Sequence, residues 1–233
     1  MCTLTFLPLD DGSAIITSNR DEAPGRKTQF PKIYHHSGVA LLYPRDEKAG
    51  GTWIGISGHK RVIGLLNGGF TAHTPGGNYL KSRGLVVLDL LTCPDFDAGI
   101  KQYEFRGIEP FTMVVYRWDN TPNLTQIVWD GRNLHVTQKE LTASIWSSTL
   151  LYPDRIRDKR EGWFRTFLDE FPQPDSGQLL KFHRTAGEGD PSNDLVMDRG
   201  FVRTRSITQV VVGKRSTMWY KDLESGREER LGI

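Results

Sequence analysis

Only two cysteines, Cys2 and Cys93, occur in the 233 residues. A disulfide framework is therefore excluded as a source of stability, and such sparing use fits a reducing compartment. There is no run of about 18 apolar residues, so no membrane span is predicted. The apolar opening from Met1 to Leu9 is too short for a secretory leader and is stopped by Asp10 and Asp11; the expected location is the cytoplasm. An excess of one charge is also missing. The 30 basic and 28 acidic residues leave a formal charge of +2, whereas a nucleic-acid-binding protein would carry a large, clustered basic excess. The six histidines show no metal-ligand spacing, and His35 and His36 would face apart on a strand. Gly76-Gly77-Asn78 could seat a phosphate at a helix start, but no Walker lysine follows. No metal, no cofactor and no nucleic acid is expected, and no repeat or low-complexity tract interrupts the chain.

What is present describes one globular domain over residues 1–233, with 37% hydrophobic and 25% charged residues and enough length to bury a sizeable core. Thr3 to Leu9 is apolar and β-prone, Asp10-Asp11-Gly12 is a hairpin turn signal, and Ala14 to Thr17 supplies the returning strand. Thr52 to Ser57 and Arg61 to Leu66 form a second strand pair. Leu80, Gly84, Val87, Leu88 and Leu91 recur at helical spacing and predict a helix over Asn78 to Leu91. Three strands follow, at Phe111 to Trp118, Leu124 to Trp129 and Leu134 to Thr137. A second helix starts near Pro153, where Ile156, Trp163, Phe164, Phe167, Leu168 and Phe171 make one apolar face and Pro172 and Pro174 end it. Its basic run Arg155, Arg157, Lys159, Arg160 alternates with Asp154, Asp158 and Glu161, which reads as a solvated face. Cys93, at a helix end, reads as a core residue. After a Gly- and Asp-rich loop from Ala186 to Asp194, strands at Arg203 to Val212 and Thr217 to Leu223 close the chain. Strands, then helices, then strands is an α+β order.

Four stretches carry candidate chemistry. In Met1-Cys2, removal of the initiator methionine would leave a free α-amine, a local base with a pKa near 8, on the same residue as the thiol. A buried N-terminal cysteine of no catalytic importance would look the same. Ser18-Asn19-Arg20-Asp21-Glu22 follows the returning strand; it would bring a carboxylate and a guanidinium back towards Cys2, or form a charged, solvated turn. Gly50-Gly51-Thr52-Trp53, after Arg45-Asp46, permits unusual backbone angles or close approach at a strand start, with Trp53 buried. Asn67, ending the strand Ile63 to Leu66, could donate to an oxyanion or simply open an Asn-Gly turn.

Taken in order, Met1-Cys2, Asn19-Arg20-Asp21-Glu22, Arg45-Asp46, Gly50-Gly51-Thr52-Trp53, Ser82-Arg83-Gly84 and Thr204-Arg205-Ser206 resemble the NRDE family, also called the transport and Golgi organisation 2 family. That family is similar to N-terminal-nucleophile (Ntn) hydrolases of the choloylglycine hydrolase and penicillin acylase type. The resemblance implies an α+β fold, a four-layer αββα sandwich of mainly antiparallel sheets. It implies cleavage of the C–N amide bond of a small acylated substrate, or a non-catalytic protein using the same site to bind or carry a lipid-like or haem-like ligand. Cys2 matches the nucleophile, Asp21 the aspartate after the second strand, Asn67 the oxyanion donor and Arg205 the late arginine; these four are expected to line one pocket. Asn19, Arg20, Trp53 and Ser148 are the candidate substrate contacts, with Arg20 able to point outward. Two positions depart from the hydrolases: Ser18 stands where they carry arginine, and Ser148 where an asparagine is expected.

Overall fold

The computed structural model describes residues 2–10, 12–74 and 79–233. The Gly76-Gly77-Asn78 phosphate seat, the expected helix start at Asn78, and Met1 and Asp11 lie outside the described residues. In chain order the elements are β1 (Cys2–Pro8), β2 (Ala14–Glu22), β3 (Thr28–His36), β4 (Val39–Asp46), β5 (Ile54–Ser57), β6 (Arg61–Asn67), α1 (Arg83–Thr92) and α2 (Phe96–Gln102). Then come β7 (Phe111–Arg117), β8 (Asn123–Trp129), β9 (Leu134–Lys139), β10 (Ser144–Ser147), α3 (Asp154–Glu170), α4 (Ser176–Thr185), β11 (Arg203–Val212), β12 (Thr217–Asp222) and β13 (Glu228–Gly232). They divide between two compact units.

The first unit holds the described residues of 1–26 together with 142–232. Its antiparallel sheet runs β10-β1-β2-β11-β12-β13. β1 is an interior strand, paired on one side with β10 and on the other with β2. α3 and α4 cover one face of this sheet. Leu7 and Ile15 meet Phe164, Phe167, Leu179 and Phe182 there, the last four from the apolar stripes of the two helices. α3 begins behind Pro153, as the sequence predicts, and stops at Phe171 before Pro172. β2 is longer than expected. It continues through Glu22, so Asn19, Arg20 and Asp21 are buried strand residues and not a solvated turn. The polar run lacks apolar alternation because polar partners wait on both faces.

The second unit holds 27–141, a meander in the order β3-β4-β5-β6-β7-β8-β9 with every pair antiparallel. α1 packs on β4, β5 and β6, and Val86, Val87, Leu90 and Leu91 join Leu41, Ile63, Met113 and Ile127 in one core. The helix starts at Arg83. Leu80, which has helical spacing, is 85% exposed; its amide donates to Gly107 O at 2.8 Å and Lys81 bridges Ile108, so this stretch is extended. Arg61 closes the other end of α1 by donating to the carbonyls of Leu90, Cys93 and Pro94. Cys93 is half-buried, its thiol donating to Asp95 O, and it is not a core residue.

Three of the sequence motifs meet in this unit as one backbone crossing. Gly50 has φ +73°, and its amide donates to Asp46 O at 2.8 Å while Asp46 N donates to Gly51 O at 2.9 Å. A Cβ on Gly51 would fall 2.2 Å from the backbone carbon of Gly84. Thr52 N donates to Gly84 O, and the Thr52 hydroxyl donates to Pro44 O at 2.7 Å. Arg45-Asp46, Gly50-Gly51-Thr52-Trp53 and Ser82-Arg83-Gly84 are therefore structural first: two chains cross with no room for a side chain. Trp53 is buried, as expected.

Candidate active site

Cys2 is the first residue of β1 and is 1% exposed. Its carbonyl accepts from Ser148 N at 3.0 Å, which seats Ser148 directly beyond β10. Pairing puts Arg20 opposite Cys2 and Ser18 opposite Leu4, so Cys2, Ser18 and Arg20 share one sheet face. Arg20 is buried, not pointing outward, and faces Glu22 at 3.8 Å. Burial pushes the Cys2 thiol above its ordinary pKa and the Asp21 carboxylate adds to this; the Arg20 charge and the nearby Ser18 hydroxyl favour the thiolate.

Asp21 and Asn19 lie on the opposite, helix-covered face. Asp21 Oδ2 accepts from Tyr152 OH at 2.6 Å, and Oδ1 accepts from Thr204 Oγ1 at 2.7 Å. Burial raises the Asp21 pKa, against the pull of the Arg160 charge and these two hydrogen bonds. Arg160 is the main departure from the solvated helix face read in the sequence. It is 0% exposed, lies 3.6 Å from the Tyr152 ring centroid, and donates to Asn193 O, Asp194 O and Thr3 Oγ1. Asn19 Nδ2 donates to His183 O at 2.9 Å and to Leu195 O at 2.7 Å, which leaves Asn19 Oδ1 to accept from His183 Nδ1 at 2.7 Å. The His183 Nε2 lone pair then accepts from Thr5 Oγ1 at 2.8 Å. This closed network fixes β1 and β2, the strands that carry Cys2, from behind.

The network has a measurable signature. Burial, helped by the Arg160 charge, lowers the His183 pKa to about 3. Unfolded, an imidazole titrates near 6.5. Between those values the unfolded state binds more protons, so stability rises with pH and this contribution is complete above about pH 6.5. Lowering the pH from 6.5 to 5 is expected to cost about 2 kcal/mol from this one group. Asp21, whose raised pKa acts in the opposite sense, is common to both proteins when wild type is compared with His183→Gln. In denaturant titrations the variant should show a pH profile flatter by that amount; two parallel profiles would show that His183 is not held neutral.

The remaining candidates sit as follows. Arg205 occupies a bulge in β11, where the register with β2 shifts between Thr204 and Ser206. It is 7% exposed and ion-paired through Nη2 to Glu224. Asn67 ends β6 opposite Phe111 in the second unit, followed by Gly68 at φ +94°. Within the first unit, strand pairing sets Asp21 and Cys2 on opposite sides of their sheet, against the expectation that both line one pocket. Sequence reasoning missed Tyr152 and His183, placed Arg160 on a solvated face, and gave no separate role to Ser206 and Thr208, which stand at alternate positions of β11 on either side of Ile207. That alternation was the available signal. Among the described residues no group of three or more His, Cys, Asp or Glu side chains could hold a metal ion, and no helix is long and apolar enough to cross a membrane.

The architecture is that of Ntn hydrolases. A mutant conjugated bile acid hydrolase from Clostridium perfringens matches 100% of this chain and 92% of its own, with a TM-score of 0.64 at 9% identity. Penicillin V acylase from Agrobacterium tumefaciens matches 100% of this chain and 86% of its own, again with a TM-score of 0.64 at 9% identity. The Caenorhabditis elegans N-acylethanolamine-hydrolyzing acid amidase ortholog covers 89% of this chain and 92% of its own, with a TM-score of 0.61 at 11% identity. At such identities the likeness establishes the fold, and the expected α+β class with antiparallel sheets is borne out. No curated protein matches the sequence. The Transport and Golgi organisation 2 (TANGO2) family model matches residues 1–153, and the chain belongs to that family.

Proposed function

We propose that the protein is an Ntn-type cysteine amidohydrolase that cleaves the C–N amide bond of a small acylated substrate, with Cys2 as nucleophile once Met1 is removed. The observation that carries this reading is the placement of Cys2. It opens an interior strand, faces Arg20 and Ser18, and is braced from the other face by the network of Asp21, Tyr152, Arg160, Asn19 and His183. A thiol raised by burial needs a base beside it, and the freed α-amine of the same residue is that base.

In the first step the amine takes the thiol proton while sulfur bonds to the carbonyl carbon and the carbonyl π-electrons move onto oxygen. The oxyanion then collapses, the C–N bond breaks, and the ammonium returns the proton to the departing amine nitrogen. Water attacks the thioester by the same route in reverse: its proton passes through the amine to sulfur, and the acid leaves. Asn67 keeps the oxyanion-donor role that its family resemblance implies, on that ground alone.

The burial of the thiol also supports a second reading, a binder or carrier of a lipid-like or haem-like ligand with no turnover. The deciding experiment uses a panel of acyl amides with two preparations, one beginning at Cys2 and one retaining Met1, both verified by intact mass. The first should hydrolyse at least one amide. The second should be inactive, because an amide nitrogen has no basic lone pair. Equal turnover by both would remove the mechanism, and none by either would favour the carrier.

A further inference from the structure

The sheet face that carries Cys2 has a polar strip whose extent follows from strand register. One cross-strand row runs Cys2, Arg20, Ser206, Asp222, and the next runs Leu4, Ser18, Thr208, Tyr220. The third row, Phe6, Ile16, Val210, Met218, is wholly apolar. A face built only for packing would continue the third row's composition through the first two. Instead Ser18, Ser206 and Thr208 are at most 1% exposed, and the Ser206 and Thr208 hydroxyls have no hydrogen-bond partner among the described residues. Arg205, at the edge of the strip, likewise leaves Nε and Nη1 unpartnered. Each such group costs on the order of its desolvation, so several together in one patch call for a ligand that satisfies them. The Cys2 thiol, in the first of these rows, is as enclosed as the hydroxyls.

Charge narrows the chemistry. Arg20 faces Glu22, Arg205 pairs with Glu224, and Asp222 adds a further carboxylate. The strip has no cationic excess with which to attract an anion, and its hydroxyls both donate and accept. We propose that it is a subsite for an uncharged, hydrogen-bonding part of the substrate, a hydroxyl- or amide-bearing chain, with Ser206 and Thr208 as its selectivity residues. This deepens the hydrolase reading and rests on it for the position of the scissile bond.

The test uses protein beginning at Cys2 and amides matched in length: hexanoyl against gluconoyl on the acyl side, and pentan-3-amine against serinol on the amine side. Wild type should favour a polar member of one pair. Thr208→Val and Ser206→Ala should each lower the polar-to-apolar ratio of kcat/KM about tenfold, the scale of one lost hydrogen bond. Thr208→Val should also hold or raise the melting temperature of the free protein, since it deletes a hydroxyl that has no partner; a hydroxyl with a hidden structural role would give a fall. In parallel, binding of gluconamide and hexanamide to Cys2→Ala protein is measured by calorimetry. Absence of turnover together with gluconamide binding that Thr208→Val weakens would remove the hydrolase reading and uphold the subsite. Turnover whose selectivity neither variant changes would keep the hydrolase and overturn the subsite, as would a wild-type preference for the apolar members. Neither turnover nor binding would overturn both.

Discussion

Cys2→Ser is expected to lower kcat by about 10³-fold or more, and Cys2→Ala to reduce turnover to background, with the fold intact in both. Burial disfavours ionisation of the Cys2 thiol, but even so its thiolate is a far better nucleophile than a serine hydroxyl. The loss should appear in kcat and kcat/KM alike, because the sulfur bonds to substrate only during reaction. Serine is close to isosteric, so the strand pairing of Cys2 with Arg20 and its carbonyl contact with Ser148 N should persist. Both variants should bind the substrate within about 1 kcal/mol of wild type, the scale of one contact. Undiminished amide cleavage by Cys2→Ala would eliminate the cysteine mechanism. A carrier would show Cys2-independent binding with no turnover to lose.

Strands bounded by turn residues were legible in the sequence. Arg203 to Val212 was read from its β-branched run and is β11, and α3 from Pro153 and its apolar stripe. α4 was overlooked although its start is written in Asp175 and Gln178, a capping box in which each side chain meets the other's backbone. The polar half of β2 could not be read as strand, because period-2 patterning needs one apolar face. Asn19 and Asp21 face His183, Tyr152 and Thr204, more than 130 residues away in sequence. Cys2, Asp21 and Asn67 stand out as candidates by local chemistry, but their roles, and Arg205 altogether, come from family resemblance. Nor could sequence show that Asp21 faces away from Cys2, since the bulge at Arg205 and the length of β2 are properties of pairing. The division into two units left no trace in composition: the first unit is assembled from the two ends of the chain.

Arg160 departs furthest from the solvated helix face that its charged neighbours suggest, and its replacement carries the largest expected loss of stability. Alternating charges on a helix ordinarily mark a solvated face, and Arg155, Asp158, Lys159 and Glu161 are indeed exposed. Arg160 instead turns inward to the carbonyls of Asn193 and Asp194, to Thr3 of the Cys2 strand, and over the ring of Tyr152. Its charge is also what opposes the burial cost of ionised Asp21. Arg160→Met keeps the volume and the helix but strands two carbonyls, a hydroxyl and a buried carboxylate. Removing one member of a buried charge network in this way is expected to cost about 3–5 kcal/mol in denaturant unfolding. Asp21→Asn in the same background should recover part of it, because the amide oxygen still accepts from Tyr152 or Thr204 while no uncompensated charge remains. The double-mutant cycle should therefore give a coupling of about 1 kcal/mol or more between two residues that share Tyr152 but form no direct ion pair. Additive losses would show that Arg160 acts only through the Asn193–Asp194 loop, and that the brace behind Cys2 is two independent parts.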